Sequence, residues 1–375
     1  KVSTDGKLLL SKDGRTVHLA ATGADFGDSY TISYDVVGNG AFCGIEIVNL
    51  TFTNPNTVIG DYAFANCEAL ESVTFPTAGV ASIGNSSFRY AKNLTKVNLE
   101  KIKLVGDYAF SNTGLKDVVL SDGATYGEGA FYAATIEKVT IGKNSQFGMG
   151  AFQKCTSLKS VVMPTEGGVT FGDGCFAYDT SLETIDLSTM KVIPDQAFFE
   201  CTALMKADMQ NAVKIGSYAF ADCASLFYVR FPVVEEIGEG AFSQYEQYGQ
   251  APIFGGTGMD SDGNTALVLP ETLTYLGDGA FIGCTGIESV VFAGDRLTAP
   301  SMEGKTEEEQ AEKYWNYLFA YCTNLKKVVL PESMTRIGKY AFAGCELLET
   351  INLSYVTEID ELAFYECLSL EEVEL

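Results

Sequence analysis

Apolar and polar positions along this chain follow a unit that returns mostly every 21 to 24 residues. Its fixed point is a phenylalanine, found at Phe42, Phe64, Phe88, Phe110, Phe131, Phe152, Phe176, Phe198, Phe220, Phe242, Phe281, Phe319, Phe342 and Phe364, eleven times directly after alanine. Five segments (59–75, 193–209, 215–231, 337–353 and 359–375) align without a gap on the pattern I-G-x-x-A-F-x-x-C-x-x-L-x-x-V-x-L. Phe, Cys and Leu fall three apart, which predicts a tight 3-10 or single α turn. The V-x-L that follows alternates with period two, the mark of a short half-buried strand. Each repeat therefore reads as strand, turn at glycine, short helical turn and return. Such a step forces parallel pairing, so equivalent residues would stack at about 4.8 Å. Phenylalanine, leucine and Val/Ile columns then become continuous apolar ladders. No single repeat can bury its own apolar side, so self-similarity at this period implies stacked units.

The pattern is absent from residues 1–35. There Leu8-Leu9-Leu10 and Val17-His18-Leu19 flank a Lys12-Asp13-Gly14 turn, which predicts an N-terminal β-hairpin cap over the first edge. Residues 36–375 read as about 14 repeats. Two intervals are long, with 39 residues from Phe242 to Phe281 and 38 from Phe281 to Phe319. They mark insertions near 244–264 and 293–312. In the second, Thr306 and Glu309 form a capping-box pattern for a short helix. A start at Lys1 rather than Met points to a trimmed or processed upstream stretch. The chain stops at Leu375 inside a predicted strand, so either a tail follows it or the last strand edge is open.

The repeats carry a family resemblance. The A-F-x-x-C-x-x-L-x-x-V-x-L-P pattern resembles the BspA-like, or treponemal-type, leucine-rich repeat over roughly residues 36 to 375. The resemblance implies an α/β solenoid, a right-handed superhelix with one parallel β-sheet face and short helical or 3-10 turns opposite. It also implies a bacterial surface or secreted protein that binds host glycoproteins, cells or other bacteria. Binding residues in that family are not tied to a motif, so none transfers by position.

Composition narrows the partners. With 25 Lys and Arg against 49 Asp and Glu, the formal charge is −24, which repels phosphate backbones and anionic lipid headgroups. Nucleic acid and membrane surfaces are thus poor partners, while basic partners or divalent cations suit the charge. No apolar run reaches the ~18–20 residues of a membrane-spanning helix.

Candidate chemistry is sparse. Eight of ten cysteines share one repeat position, a slot that takes Ala91, Thr113 and Ala134 elsewhere, so they read as free buried thiols behaving as small hydrophobes. The one histidine, His18, lies in the cap hairpin away from any evident nucleophile. Asp186 and Asp208 hold the outward x of V-x-L in successive repeats, about 5 Å apart, a spacing that suits a retaining glycosidase pair but also arises on any solvated strand face. Arg230 on the next repeat would neutralise them. Phe227 and Tyr228 add aromatic surface, and Val291 and Val329 place apolar side chains at the same outward position. These seven residues form the candidate binding surface. Asp260, Asp262 and Asn264 with Glu271 echo an EF-hand loop, although position six is Thr265 rather than Gly. No nucleophile–base or metal constellation is legible, so the chain reads as non-enzymatic and calls for no cofactor. Two functions fit: a secreted or surface binding protein for a protein or glycoprotein, and a structural spacer that holds another module.

Overall fold

The computed structural model describes residues 1–245, 258–259, 265–298 and 315–374. Most of both insertions, the capping-box pattern at Thr306 and the Asp260–Asn264 loop lie outside the described residues. Contacts divide the chain into two units, Lys1–Leu182 and Glu183–Leu375, each with seven column phenylalanines.

Each turn of the chain contributes two strands rather than one. In the first unit, V-x-L strands Ser29–Ile32, Asn49–Phe52, Ser72–Thr74 and Lys96–Val97 pair in parallel, as do Asp117–Val119, Lys138–Thr140 and Ser160–Val162. A second parallel ladder runs through the residues just before the repeat glycine, from Val36–Val37 through Val58–Ile59, Ser82–Ile83, Leu104–Val105 and Thr125–Tyr126 to Gln146–Phe147. Leu8–Leu10 and Thr16–Ala20 pair antiparallel, and Thr16–Ala20 then joins Val36–Val37 in parallel. The second unit repeats the scheme. Thr184–Ile185, Lys206–Asp208 and Tyr228–Arg230 form one V-x-L series, and Thr265–Leu269, Ser289–Phe292, Lys327–Val329, Thr350–Asn352 and Glu372–Glu374 form another. Gly258–Met259 adds an antiparallel strand to Thr265–Leu269 where the first insertion ends.

Two expectations need correction. The single sheet face is in fact two parallel ladders, because the dipeptide before glycine is also extended and in register. The helical or 3-10 turns are also not found: no described residue is helical. The reason lies in the backbone. Tyr62 and Asn66 have φ of 56° and 57°, and Tyr218 and Asp222 have 55° and 56°. A left-handed residue two positions either side of the phenylalanine, found at every column position but Phe242, which has one only before it, breaks any right-handed helix. Period three survives because successive β-turns produce it too. Ala65 N–H donates to Tyr62 C=O at 3.1 Å and Cys67 N–H to Phe64 C=O at 3.4 Å, each within one turn of the chain. The N–H groups between them leave for the next turn, Phe64 to Ser87 C=O at 2.7 Å and Asn66 to Arg89 C=O at 2.8 Å.

The core is the aromatic column. In the first unit, neighbouring rings from Phe42 to Phe176 lie 5.1–5.7 Å apart and within 15° of parallel. In the second, rings from Phe198 to Phe364 lie 5.2–5.7 Å apart. Spacing across the two long intervals stays at 5.5 and 5.4 Å, so the column is continuous through both.

None of the ten cysteines is in a disulfide. Seven thiols in the shared slot donate to the carbonyl of the column phenylalanine one turn earlier, as Cys155 does to Phe131 at 3.1 Å. The slot thus suits a small apolar group, and a thiol there adds a donor for that carbonyl. Asp179 breaks this rule: it occupies the slot fully buried, with neither carboxylate oxygen hydrogen-bonded. Burial lifts its carboxyl well above the ordinary value.

Candidate binding surface

The seven residues marked from sequence divide between two strand series. Lys206–Asp208 lies beside Tyr228–Arg230 with Asp208 opposite Arg230. Asp208 sits 3.9 Å from the Arg230 guanidinium and 3.8 Å from Lys206 Nζ, and Lys206 lies 4.7 Å over the Tyr228 ring. Phe227, at the entry to the same strand, is 51% exposed. Val291 and Val329 pair in register in the other series, where Val268 extends the row. The structure therefore yields a charged aromatic patch and a separate valine row.

Asp186 is held by the turn that follows its strand. Its carboxylate accepts the Ser188 N–H at 2.9 Å, and the Ser188 side chain and backbone together hold its pKa below the usual carboxylate range. An ionised Asp186 would match only the nucleophile of a retaining pair, which also needs a protonated acid beside it. Among the described residues no group of three His, Cys, Asp or Glu side chains is placed to hold a metal ion, and no helix is long and apolar enough to cross a membrane. Exposed His18 lies on the strand Thr16–Ala20.

Sequence reasoning missed a second surface. Tyr62, Tyr108, Tyr218, Tyr317 and Tyr340 all lie two residues before a column phenylalanine, with φ from 53° to 56°. Tyr90, Tyr178 and Tyr321 hold the other left-handed position, two residues after it, with φ from 61° to 66°. These turns join the two ladders, and the tyrosines gather on them. Tyr62, Tyr321 and Tyr365 are all more than half exposed. Tyr108 and Tyr218 direct their hydroxyls to Glu128 and Glu239 on the following turn. The recurring Y-A-F triplet was the available signal. It was passed over because tyrosine gives no hint of left-handed backbone, and alanine and phenylalanine explained the apolar pattern by themselves.

Comparison with known proteins places the architecture. A leucine-rich repeat protein from Bacteroides ovatus superposes with a TM-score of 0.57 at 21% identity, covering 98% of this chain and 92% of that one. A leucine-rich cell surface protein from Faecalibacterium prausnitzii aligns at 21% identity and a TM-score of 0.44, covering 100% and 94%. The Treponema pallidum leucine-rich repeat protein aligns at 23% identity and a TM-score of 0.41, covering 48% of this chain and 91% of its own. No curated protein matches the chain in sequence. The model of the BspA type leucine rich repeat region matches residues 29–132, 124–248, 260–299 and 312–375, so the chain belongs to that family.

Proposed function

We propose that this chain is a non-enzymatic binding protein of a bacterial surface or secreted compartment, adhesin-like, that recognises a protein or glycoprotein partner. Strand faces and turns supply the contact surface, wound as a right-handed superhelix in keeping with the handedness of parallel crossovers. One observation carries the reading. Large apolar and aromatic side chains stand exposed at fixed repeat positions, among them Phe227 at 51%, Val119 at 46%, Val162 at 42% and Val329 at 37%. The buried column does not need them, and a spacer would keep those positions polar. Membership of the family and the named surface location of one structural relative fit this reading.

The test is a panel of immobilised extracellular-matrix proteins, bacterial surface proteins and glycans probed with the full chain at about 150 mM salt. Saturable binding to a protein or glycoprotein, with affinity on the order of micromolar or tighter, is expected. A panel without a single saturable partner would favour the spacer.

A further inference from the structure

The tyrosines on the turns differ between the two units in what lies over their rings. In the first unit the chain supplies its own cations. The Arg89 guanidinium lies 4.8 Å from the Tyr90 ring centroid and 5.7 Å from that of Tyr108. Lys154 Nζ lies 5.8 Å from Tyr132 and 5.4 Å from Tyr178. Arg89 therefore bridges rings on neighbouring turns and Lys154 reaches rings on the turns either side of its own, at distances where attraction to the ring quadrupole is appreciable.

On the described turns around Tyr317 to Tyr365 in the second unit, the rings are present without such cations. Tyr317 and Tyr340 stack in parallel at 5.0 Å and 4°, and Tyr317 is 42% exposed. Tyr321 lies against Gly344 on the next turn, where a Cβ would sit only 2.7 Å from its ring edge. One side of that ring is thus seated on backbone while the residue remains 56% exposed. Tyr365, 52% exposed, shares a hydrogen bond with Glu366. Among the described residues, no cation lies over any of these four rings.

Charge separates the units in the same sense. Residues 1–182 carry 14 Lys and Arg against 18 Asp and Glu, a balance of −4. Residues 183–375 carry 11 against 31, a balance of −20. The difference extends to the turns: from the repeat glycine to two residues past the phenylalanine, the first unit has four carboxylates and two cations, while the second has eight carboxylates and Lys339 alone.

From this contrast we infer that the tyrosine-bearing turns around Tyr317, Tyr321, Tyr340 and Tyr365 are a docking surface for a basic polypeptide segment, whose Arg and Lys side chains occupy the ring faces that Arg89 and Lys154 occupy in the first unit. The inference deepens the binding-protein reading and rests on it. The carboxylate excess of the unit, with Glu366 beside Tyr365, gives long-range attraction, and the rings give a short-range preference that salt screens less. A neutral glycan would also stack on tyrosine but would gain nothing from the excess of carboxylates.

The test uses the full chain with two labelled peptides of equal length, one alternating Arg and Gly and one alternating Ser and Gly, and a neutral oligosaccharide. The main variant is Tyr317→Asn with Tyr340→Asn. Asparagine tolerates the left-handed backbone and leaves the charge unchanged. Tyr62→Asn in the first unit is the matched control. Tyr365→Ser, at a position with ordinary backbone, serves as a second variant should the first melt early. At about 150 mM salt the Arg-Gly peptide should bind the unmodified chain and Tyr62→Asn equally, and the ring variants about tenfold more weakly, with no binding of the Ser-Gly peptide. Equal binding by the ring variants would reduce the attraction to bulk charge and overturn the inference. So would ring-dependent binding of the oligosaccharide without the peptide. A chain that ignores the peptide but captures a panel protein also overturns it, while the broader reading stands. Ring-dependent peptide binding beside a silent panel upholds the inference and narrows the broader reading to basic protein partners.

Discussion

At the residue scale the decisive positions are those where a buried group must satisfy two demands at once. The shared slot accepts cysteine because a thiol is small, apolar and able to donate to the phenylalanine carbonyl one turn back. Burial raises these thiols, to about 12 for Cys67 and about 11 for Cys367, so they stay protonated and unreactive in the folded state. Cys43 alone is exposed. In the native protein a thiol reagent should therefore modify Cys43 first, with all ten groups titrating after unfolding without reductant. Fewer than ten would reveal a disulfide. Asp179 is the converse case. Its folded-state pKa is raised, so the folded state is penalised as pH climbs above the unfolded value of about 4 and toward the folded one. Asp179→Cys restores a donor of the right size and should stabilise the protein by about 1–3 kcal/mol near neutral pH. The gain should shrink as pH falls through about 4, below which both states are protonated. Thermal melts across that range would show it, and a pH-independent gain would contradict the assignment.

At the element scale, one repeat is a pair of short strands joined by consecutive β-turns. The V-x-L strand, the column phenylalanine and the leucine were legible because each imposes a period on several residues. The second strand was not, because two residues such as Val58–Ile59 are too few for alternation to register. The turn was misread as helical for a related reason. Phe64, Cys67 and Leu70 fall three apart whether the backbone turns as a helix or as successive β-turns, and only the left-handed Tyr62 and Asn66 decide between them. Of the candidate surface, Asp208 and Arg230 could be paired from spacing alone. The tyrosines could not, since their placement follows from backbone conformation rather than from hydrophobicity. The repeat glycine has a plain steric cause: a Cβ on Gly84 would stand 2.6 Å from the Gly60 carbonyl carbon and 2.7 Å from the Ile59 oxygen on the preceding turn. Gly84→Ala should cost about 1–3 kcal/mol through overpacking. Gly168→Ala, with nothing within 4 Å of its Cβ, should leave the melting temperature nearly unchanged. Equal effects would mean that the turns are not in close backbone contact.

At the scale of the whole molecule, stability is a sum over neighbouring turns, and function is a matter of what the repeated positions present outward. Both units obey one scheme, yet they differ sharply in charge and in the cations over their tyrosines. The surfaces proposed here exist only if each turn is bonded to its neighbour rather than to itself. Phe64 N–H donates to Ser87 C=O at 2.7 Å, Phe220 N–H to Ala241 C=O at 2.8 Å, and Phe342 N–H to Ala363 C=O at 2.8 Å. Residue-resolved amide hydrogen exchange on the full chain tests this directly. The column phenylalanine amides should be among the slowest in each unit, with the amide of the residue just past the repeat glycine exchanging faster. Column amides that exchange as freely as surface turns, or protection confined to isolated stretches of consecutive residues, would contradict the account.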